Sequence, residues 1–366
     1  MRGGPDGIIT PMTLDFIHHA LPGRIRFGAG ARAHVAEEVG LLGGRRVLLV
    51  SRRGSMEAVA SGLRDALGDR CAGWFDEVAA HVPGELAASA VAMAREVRAD
   101  TLLCVGGGSA VGTAKMVALE LDLPIVAVPT TYAGSEMTPI WGRTSDRRKR
   151  TGRDLRVLPR TVVYDPELTT ALPPQVGGPS GMNALAHAIE ALYAPNTTPV
   201  VQVLAREAIR ALTDGLPRVV ADGSDLDARA TTLYGAYLAG GALAVAGTSI
   251  HHKIAHILGG TWNLPHAPLH AVLLPHTVAF AAPAVADALA PAAEAMDVDD
   301  VAAGLYDLLT RLDIGPALTS VGMPTAALDE AVDAIVDAQP TSPRAVERRA
   351  VERLLTGALD GTPPAT

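Results

Sequence analysis

The chain changes its pattern once, near Pro166, and that switch limits its fold more than any other feature. Before it, four short β-rich runs alternate with segments of helical periodicity such as GELAASAVAMAREVRAD. The runs are RVLLVS (46–51), TLLCVG (101–106), PIVAVP (124–129) and TVVYD (161–165). Apolar runs of this length read as strands buried on both faces, and strand–helix alternation implies a parallel sheet covered on both sides. After the switch come helical stretches broken by Pro and Gly, among them MNALAHAIEALYA, PVVQVLAREAIRALTDGL and DVDDVAAGLYDLLTRL, with no convincing strand. At 366 residues there is chain enough for two cores. The expected architecture is an N-terminal α/β domain with a Rossmann-like parallel sheet over 12–165, followed by an all-helical domain over 166–366.

Composition removes several function classes. The net charge of −8, with no basic block beyond RTSDRRKR (143–150), gives nucleic-acid binding little support. Cys71 and Cys104 are the only cysteines, which implies no disulfide framework and suits a reducing cytoplasm. The opening residues lack the apolar stretch of a signal peptide, and those before Met12 read as a loose tail or an upstream start. The long uncharged run from Ala230 to Ile250, rich in Ala and Gly with Thr and Ser, reads as a buried central helix rather than a membrane span.

Two loops carry the first chemical signal. VGGGSAVGTAK follows an expected strand and opens a helix, so Gly106, Gly107, Gly108 and Ser109 would bring backbone N–H groups to a pyrophosphate at a helix N-terminus. PTTYAGSEMT follows the next strand with Thr130, Thr131, Tyr132 and Ser135. Two such loops at adjacent strand ends outline a cofactor crevice at the carboxyl edge of the sheet. Only three of the 31 basic residues are lysines, and two of these, Lys115 and Lys253, lie inside motifs, as if a compact ammonium were required there. After the first of the four runs the chain reads VSRRG, with Ser51, Arg52 and Arg53 where an acid would select NAD, so NADPH should be accepted and NADH is not excluded. A solvated pair of arginines is the plainer reading of the same residues.

SIHHKIAHILGGTWNLPHAPLHAVLLPH (249–276) holds six of the eleven histidines. His252 and His256 are four apart, as are Asn183 and His187 upstream, so each pair shares a helix face. His266 follows a Gly-Gly turn and Pro265. Such spacing is a metal signal, and a polar pocket would give the same pattern.

GGGSxxGxAK, PTTYAGSEMT, the helix with His187 and the H-x3-H-x9-H set of His252, His256 and His266 together resemble the iron-containing alcohol dehydrogenase superfamily. Its architecture is shared with dehydroquinate synthase-like folds. PTTYAGSEMTPIWG, KRTGRD, SGMNALAHAIEALYAPN, HHKIAHILGG and NLPHA are similar to the maleylacetate reductase branch. The resemblance puts the superfamily's metal ligand positions at Asn183, His187, His252 and His266, and its nicotinamide-proximal histidine at His256. Metal-dependent members typically carry aspartate where Asn183 stands, so no metal is expected: the donor set has lost its anion.

The implied reaction is NAD(P)H-dependent reduction of the conjugated C=C of 2-maleylacetate to 3-oxoadipate, in degradation of aromatic compounds. His256 would donate a proton or contact the enolate, with His187, His252 and His266 lining the pocket. Lys253, and behind it Arg153, would neutralise the carboxylates of the dicarboxylate substrate. A homodimer is implied, and no membrane or nucleic-acid partner. PHAPLHA and DAQPTSPRAVE (337–347) depart from the branch's usual PHAETHA and NPYWNPRPIE, which keeps open a reductase of another unsaturated or oxo acid. The fold would also accommodate a metal-dependent alcohol dehydrogenase or aldehyde reductase, or a lyase of the dehydroquinate-synthase type.

Overall fold

The computed structural model describes residues 16–364 other than Pro22, Ser55, Asp146 and Arg147; the stretch before Met12 lies outside them. Six strands form one parallel sheet: β1 (Arg24–Phe27), β2 (Val47–Ser51), β3 (Cys71–Phe75), β4 (Thr101–Gly106), β5 (Ile125–Pro129) and β8 (Thr161–Tyr164). Their order is β1-β8-β5-β4-β2-β3. The strands expected from sequence are β2, β4, β5 and β8, the four central ones. The two that sequence missed are the edges. β1 reads RIRF and β3 reads CAGWF, partly exposed and without the apolar run that burial on both faces demands. The basic block belongs to a separate antiparallel hairpin of β6 (Ile140–Ser145) and β7 (Arg148–Arg153).

Alternate strand residues feed opposite layers. Val47, Leu49, Leu103 and Val105 pack against α1 (Val35–Leu41) and α2 (Glu57–Leu67). Leu48, Val50, Leu102 and Cys104 face α3 (Gly84–Glu96) and α4 (Gly108–Leu121), and that core runs on into the helical part of the chain. There follow α5 (Pro174–Ala191), α6 (Pro199–Ala221), α7 (Leu226–Ala246), α8 (Ile250–Trp262), α9 (His266–Met296), α10 (Val301–Arg311), α11 (Leu328–Ala338) and α12 (Arg348–Asp360), with no strand among the described residues after Tyr164. Connections from β2 run towards β3, whereas those from β4 run towards β5. The strand order therefore reverses between β2 and β4, where a ligand crevice is expected at the carboxyl ends.

The uncharged run is not one helix. α7 stops at Ala246, Gly247 takes φ 77° as its C-terminal cap, and α8 sets off at 96° to α7. A glycine in the left-handed region ends a helix that apolar composition alone would continue. Gly259 and Gly260, expected as a turn before His266, lie inside α8; the turn is made by Asn263, with φ 52°. His266–Arg311 has the length and hydropathy to cross a membrane, but two thirds of its most apolar window is buried in the fold.

A glycine seam joins the halves. A Cβ on Gly240 of α7 would lie 2.8 Å from the Gly134 carbonyl oxygen and 3.0 Å from Met137 Cβ, whereas one on its neighbour Gly241 would meet nothing within 4 Å. Gly240→Ala should therefore lower stability by about 2 kcal/mol through overpacking against backbone. Gly241→Ala should be neutral or raise stability by about 0.5 kcal/mol through helix propensity. Urea denaturation of the two variants reads the difference.

Candidate active site

The crevice at the strand-order reversal brings the end of β2, the glycine-rich loop and the loop after β5 together. Ser51 ends β2 and pairs in register with Val105, one residue before Gly106. Its Oγ is buried without a hydrogen-bond partner. Gly106 takes φ 141°, and a Cβ on Gly107 would lie 3.0 Å from the Thr131 side chain, so the two glycine-bearing loops close on one another. The first turn of α4 has no side-chain cap. Its N–H groups and helix dipole suit a phosphate anion. Arg52 is exposed at the crevice edge, and Arg53 is ion-paired with Asp76, just past β3. An orphaned hydroxyl, an uncapped helix start and a loop no larger residue could form fit a dinucleotide.

Two residues expected at the cofactor are placed otherwise. Tyr132 is fully buried, with its hydroxyl 3.3 Å from Arg229 Nη1, so its ring belongs to the core. Lys115 is also fully buried, and its Nζ donates to the carbonyls of Ser135, Thr138 and Ile140, each at 2.7 Å. Its hydrogens are spent on backbone, because the side chain leaves α4 on the face turned towards that loop. Burial pulls the ammonium down to about 7, and Glu136 opposes the shift. Arg153, considered for a substrate carboxylate, donates instead to the Ala244 carbonyl at 2.6 Å.

Three helices build a histidine pocket beside this crevice. α5 supplies Asn183 and His187, α8 supplies His251, His252 and His256, and α9 supplies His266 and His270. The His187 and His252 rings stack at 4.9 Å, His252 and His270 lie 4.7 Å apart, and His266 and His270 lie 4.3 Å apart. His256 stands 6.2 Å from His252 and 6.4 Å from His266. Asn183, His187, His252 and His270 are buried, whereas His256, His266 and Lys253 are exposed. The pocket thus has a dry floor and a wet mouth. On the floor, Asn183 Oδ1, His187 Nδ1, His252 Nε2 and His270 Nε2 have no hydrogen-bond partner. Unpartnered buried polar atoms that converge are what a polar ligand would satisfy.

Residues 22–166 match the iron-containing alcohol dehydrogenase family and residues 179–359 the C-terminal part of the Fe-containing alcohol dehydrogenase family. Maleylacetate reductase 2 of Cupriavidus pinatubonensis is 48% identical over 355 residues, 96% of this chain and 98% of that protein. The chain belongs to the iron-containing alcohol dehydrogenase family. Within that family it falls in the maleylacetate reductase branch. The maleylacetate reductase of Delftia acidovorans is 45% identical over 351 residues, 96% of this chain and 99% of its own. The crystal structure of maleylacetate reductase from Agrobacterium tumefaciens superposes with a TM-score of 0.92 at 42% identity, covering 96% and 99% of the two chains.

The metal in the family's name fits this pocket poorly. Asn183, His187, His252 and His266 offer three imidazoles and an amide oxygen, and no carboxylate. The nearby carboxylate, Glu190, is taken up by the His251 N–H and by His252 Nδ1, both at 2.6 Å. A second grouping, His251, His252 and His270, has nitrogens within 4.8 Å of one another. There His251 Nδ1 meets Thr277 Oγ1 and His251 Nε2 meets His270 Nδ1, both at 2.8 Å, so these nitrogens are spent on a hydrogen-bonded chain.

Glu190, His251, His270 and Thr277 are the members that sequence reasoning missed. Glu190 had a signal: it lies three residues after His187 and seven after Asn183, on the same face of α5. His251 and His270 were in view as histidines, but nothing in their spacing shows that they bond to one another.

Burial makes the histidines an acid-sensitive store. It holds His187, His251 and His270 well below the ordinary range and takes His276 down to about 4. With folded values below unfolded ones, the unfolded chain binds protons first as pH falls. This stability is complete above about 6.5 and declines towards the folded value. For His276 the loss between pH 6.5 and 5 should be about 2 kcal/mol. Urea midpoints at the two pH values should differ less, by that amount, in His276→Gln.

Proposed function

We propose that this chain reduces the conjugated C=C of maleylacetate to 3-oxoadipate with NADPH, accepting NADH less well, and that it needs no metal. The likeness to maleylacetate reductases over nearly the whole chain, with a buried polar pocket beside the cofactor crevice, carries the reading. Bound at the crevice, the reduced nicotinamide supplies a hydride to the alkene carbon β to the ketone. The displaced electron pair then rests on the ketone oxygen as an enolate, within the histidine pocket. His256, at the wet mouth, returns a proton to the carbon beside the carbonyl, which completes the saturated dicarboxylate. Lys253, exposed on the same helix, pairs with a substrate carboxylate. The working form is a cytoplasmic homodimer, as the shared branch suggests.

Loss of nicotinamide absorbance with maleylacetate, unchanged by EDTA, is the expected result. Loss of turnover with EDTA and its rescue by Zn²⁺ or Fe²⁺ would overturn the metal-free reading. Turnover of another enoic or oxo acid in preference would overturn the substrate, and Leu269 is the place to look. Leu269 is buried in the core of α8, α9, α11 and α12, where the branch usually carries a polar residue. At the cofactor, Arg52→Asp should reverse preference towards NADH by about tenfold, the worth of one charge-assisted contact to the 2′-phosphate.

A further inference from the structure

We propose that the groove between α3, α4 and the β6–β7 hairpin binds an organic monocarboxylate. Arg143 would take the carboxylate, and the two helices the apolar body. The site is separate from the crevice and the histidine pocket, and the reduction proposed above makes no use of it.

The groove is half open and holds about 310 Å³, a small-molecule size. It exists because one side of α3 carries only small residues, Ala87, Ala88, Val91 and Ala92, opposite Met116, Leu119 and Glu120 of α4. Those α4 residues come from its later turns, well beyond its glycine-rich start. Ala87 and Met116 are buried and pack with Val82, Leu119 and Trp141 as an apolar floor. The hairpin closes one end. There the Thr144 N–H donates to the Val82 carbonyl at 3.2 Å, and Val82 takes φ 48°, a conformation that β-branched residues rarely hold. This strained loop keeps β6, and with it Arg143, against the start of α3.

Charge selects the occupant. Arg143 Nε is buried without a hydrogen-bond partner, and among the described residues Arg143 has no ion pair. Arg95, the other cation of the lining, is paired with Glu120 at 3.0 Å. Two cations against one carboxylate leave a single positive charge, on Arg143. Arg150 stands directly opposite Arg143 across the hairpin, and like charges so placed repel. A carboxylate forked across Nε and a neighbouring Nη satisfies the orphaned N–H and relieves that repulsion. A second carboxylate on the same ligand would meet Glu120, whose own partner is already engaged. The occupant is therefore a monoanion with an apolar body, unlike the dicarboxylates of the proposed reaction.

Octanoate is the probe, titrated calorimetrically into protein saturated with NADPH so that the crevice is filled. A Kd of about 0.1–1 mM is expected for a ligand of ten heavy atoms. Arg143→Gln should weaken binding by about tenfold or more, the worth of a charge-assisted fork. Ala92→Phe fills the groove from an exposed helix position and should weaken it as much. On the wild-type protein, octanol and octanedioate should each bind about tenfold more weakly than octanoate, a comparison that depends on no variant's folding. Equal affinity for octanedioate, undiminished binding in both variants, or no heat with octanoate up to about 10 mM would overturn the site. No readout involves turnover, so the site is judged apart from the reaction.

Discussion

His256→Ala should lower kcat for maleylacetate by about 10²–10³-fold and leave NADPH affinity nearly unchanged, because a positioned proton donor contributes that much to a carbon protonation. His256 is the member of the histidine set placed for the task. The rings on the floor, His187, His251 and His270, are pushed well below the ordinary range by burial, so they meet substrate as neutral groups. His256 is exposed one helical turn beyond His252, with its ring 6.2 Å from that of His252 and 6.3 Å from that of His270. It can therefore take a proton from solvent between turnovers while it faces the same cavity. Stopped-flow measurement separates the steps. Loss of nicotinamide absorbance in a single turnover should slow less than formation of the saturated product. Slowing of both steps to the same degree would make His256 a contact of the hydride transfer rather than the proton donor, and an unchanged kcat would remove it from the chemistry.

The parts of this fold legible in sequence are those where one residue's environment repeats along the chain. VLLVS, TLLCVG and IVAVP announce central strands because both faces of each are buried, and Asn183–His187 and His252–His256 announce helix faces because their period is local. RIRF and CAGWF were illegible because an edge strand borrows half its hydrogen bonds from one neighbour and shows the rest to solvent. α9 is broken at Val285, whose φ of −134° is not helical, and Pro275, Pro283 and Pro291 lie along it, so no single period runs through the segment. The site follows the same division. Its histidines could be named from spacing, yet their roles depend on Glu190 and Thr277, which reach them from other helices. Lys115 shows the limit most sharply. Inside a glycine-rich motif it reads as a cofactor-binding ammonium, and only the direction of its side chain from α4 shows that its hydrogens go to backbone carbonyls.

That direction makes Lys115 the residue whose loss should cost the most stability. Lys115→Met keeps the aliphatic stem and the packing but leaves the carbonyls of Ser135, Thr138 and Ile140 without their donor. Each stranded buried acceptor costs roughly 1–3 kcal/mol, and a relaxed total of about 4 kcal/mol is the expected loss. The same change strips the buried Glu136 of its cation, leaving it the Tyr164 hydroxyl at 2.8 Å, and burial already raises its carboxyl. Glu136 should then take up a proton rather than remain an unpaired buried charge. Activity should fall with stability, since the loop that Lys115 ties down carries Gly134. A Cβ there would sit 3.3 Å from both His187 Nδ1 and Gly240 Cα. Lys115→Arg distinguishes a lost donor from a lost charge, because the guanidinium keeps its charge and donors but not the compact head that three carbonyls at 2.7 Å surround. It should recover less than half of the stability. A urea midpoint for Lys115→Met equal to that of wild type would mean that the carbonyls find water, and the lysine would then be no keystone of the loop.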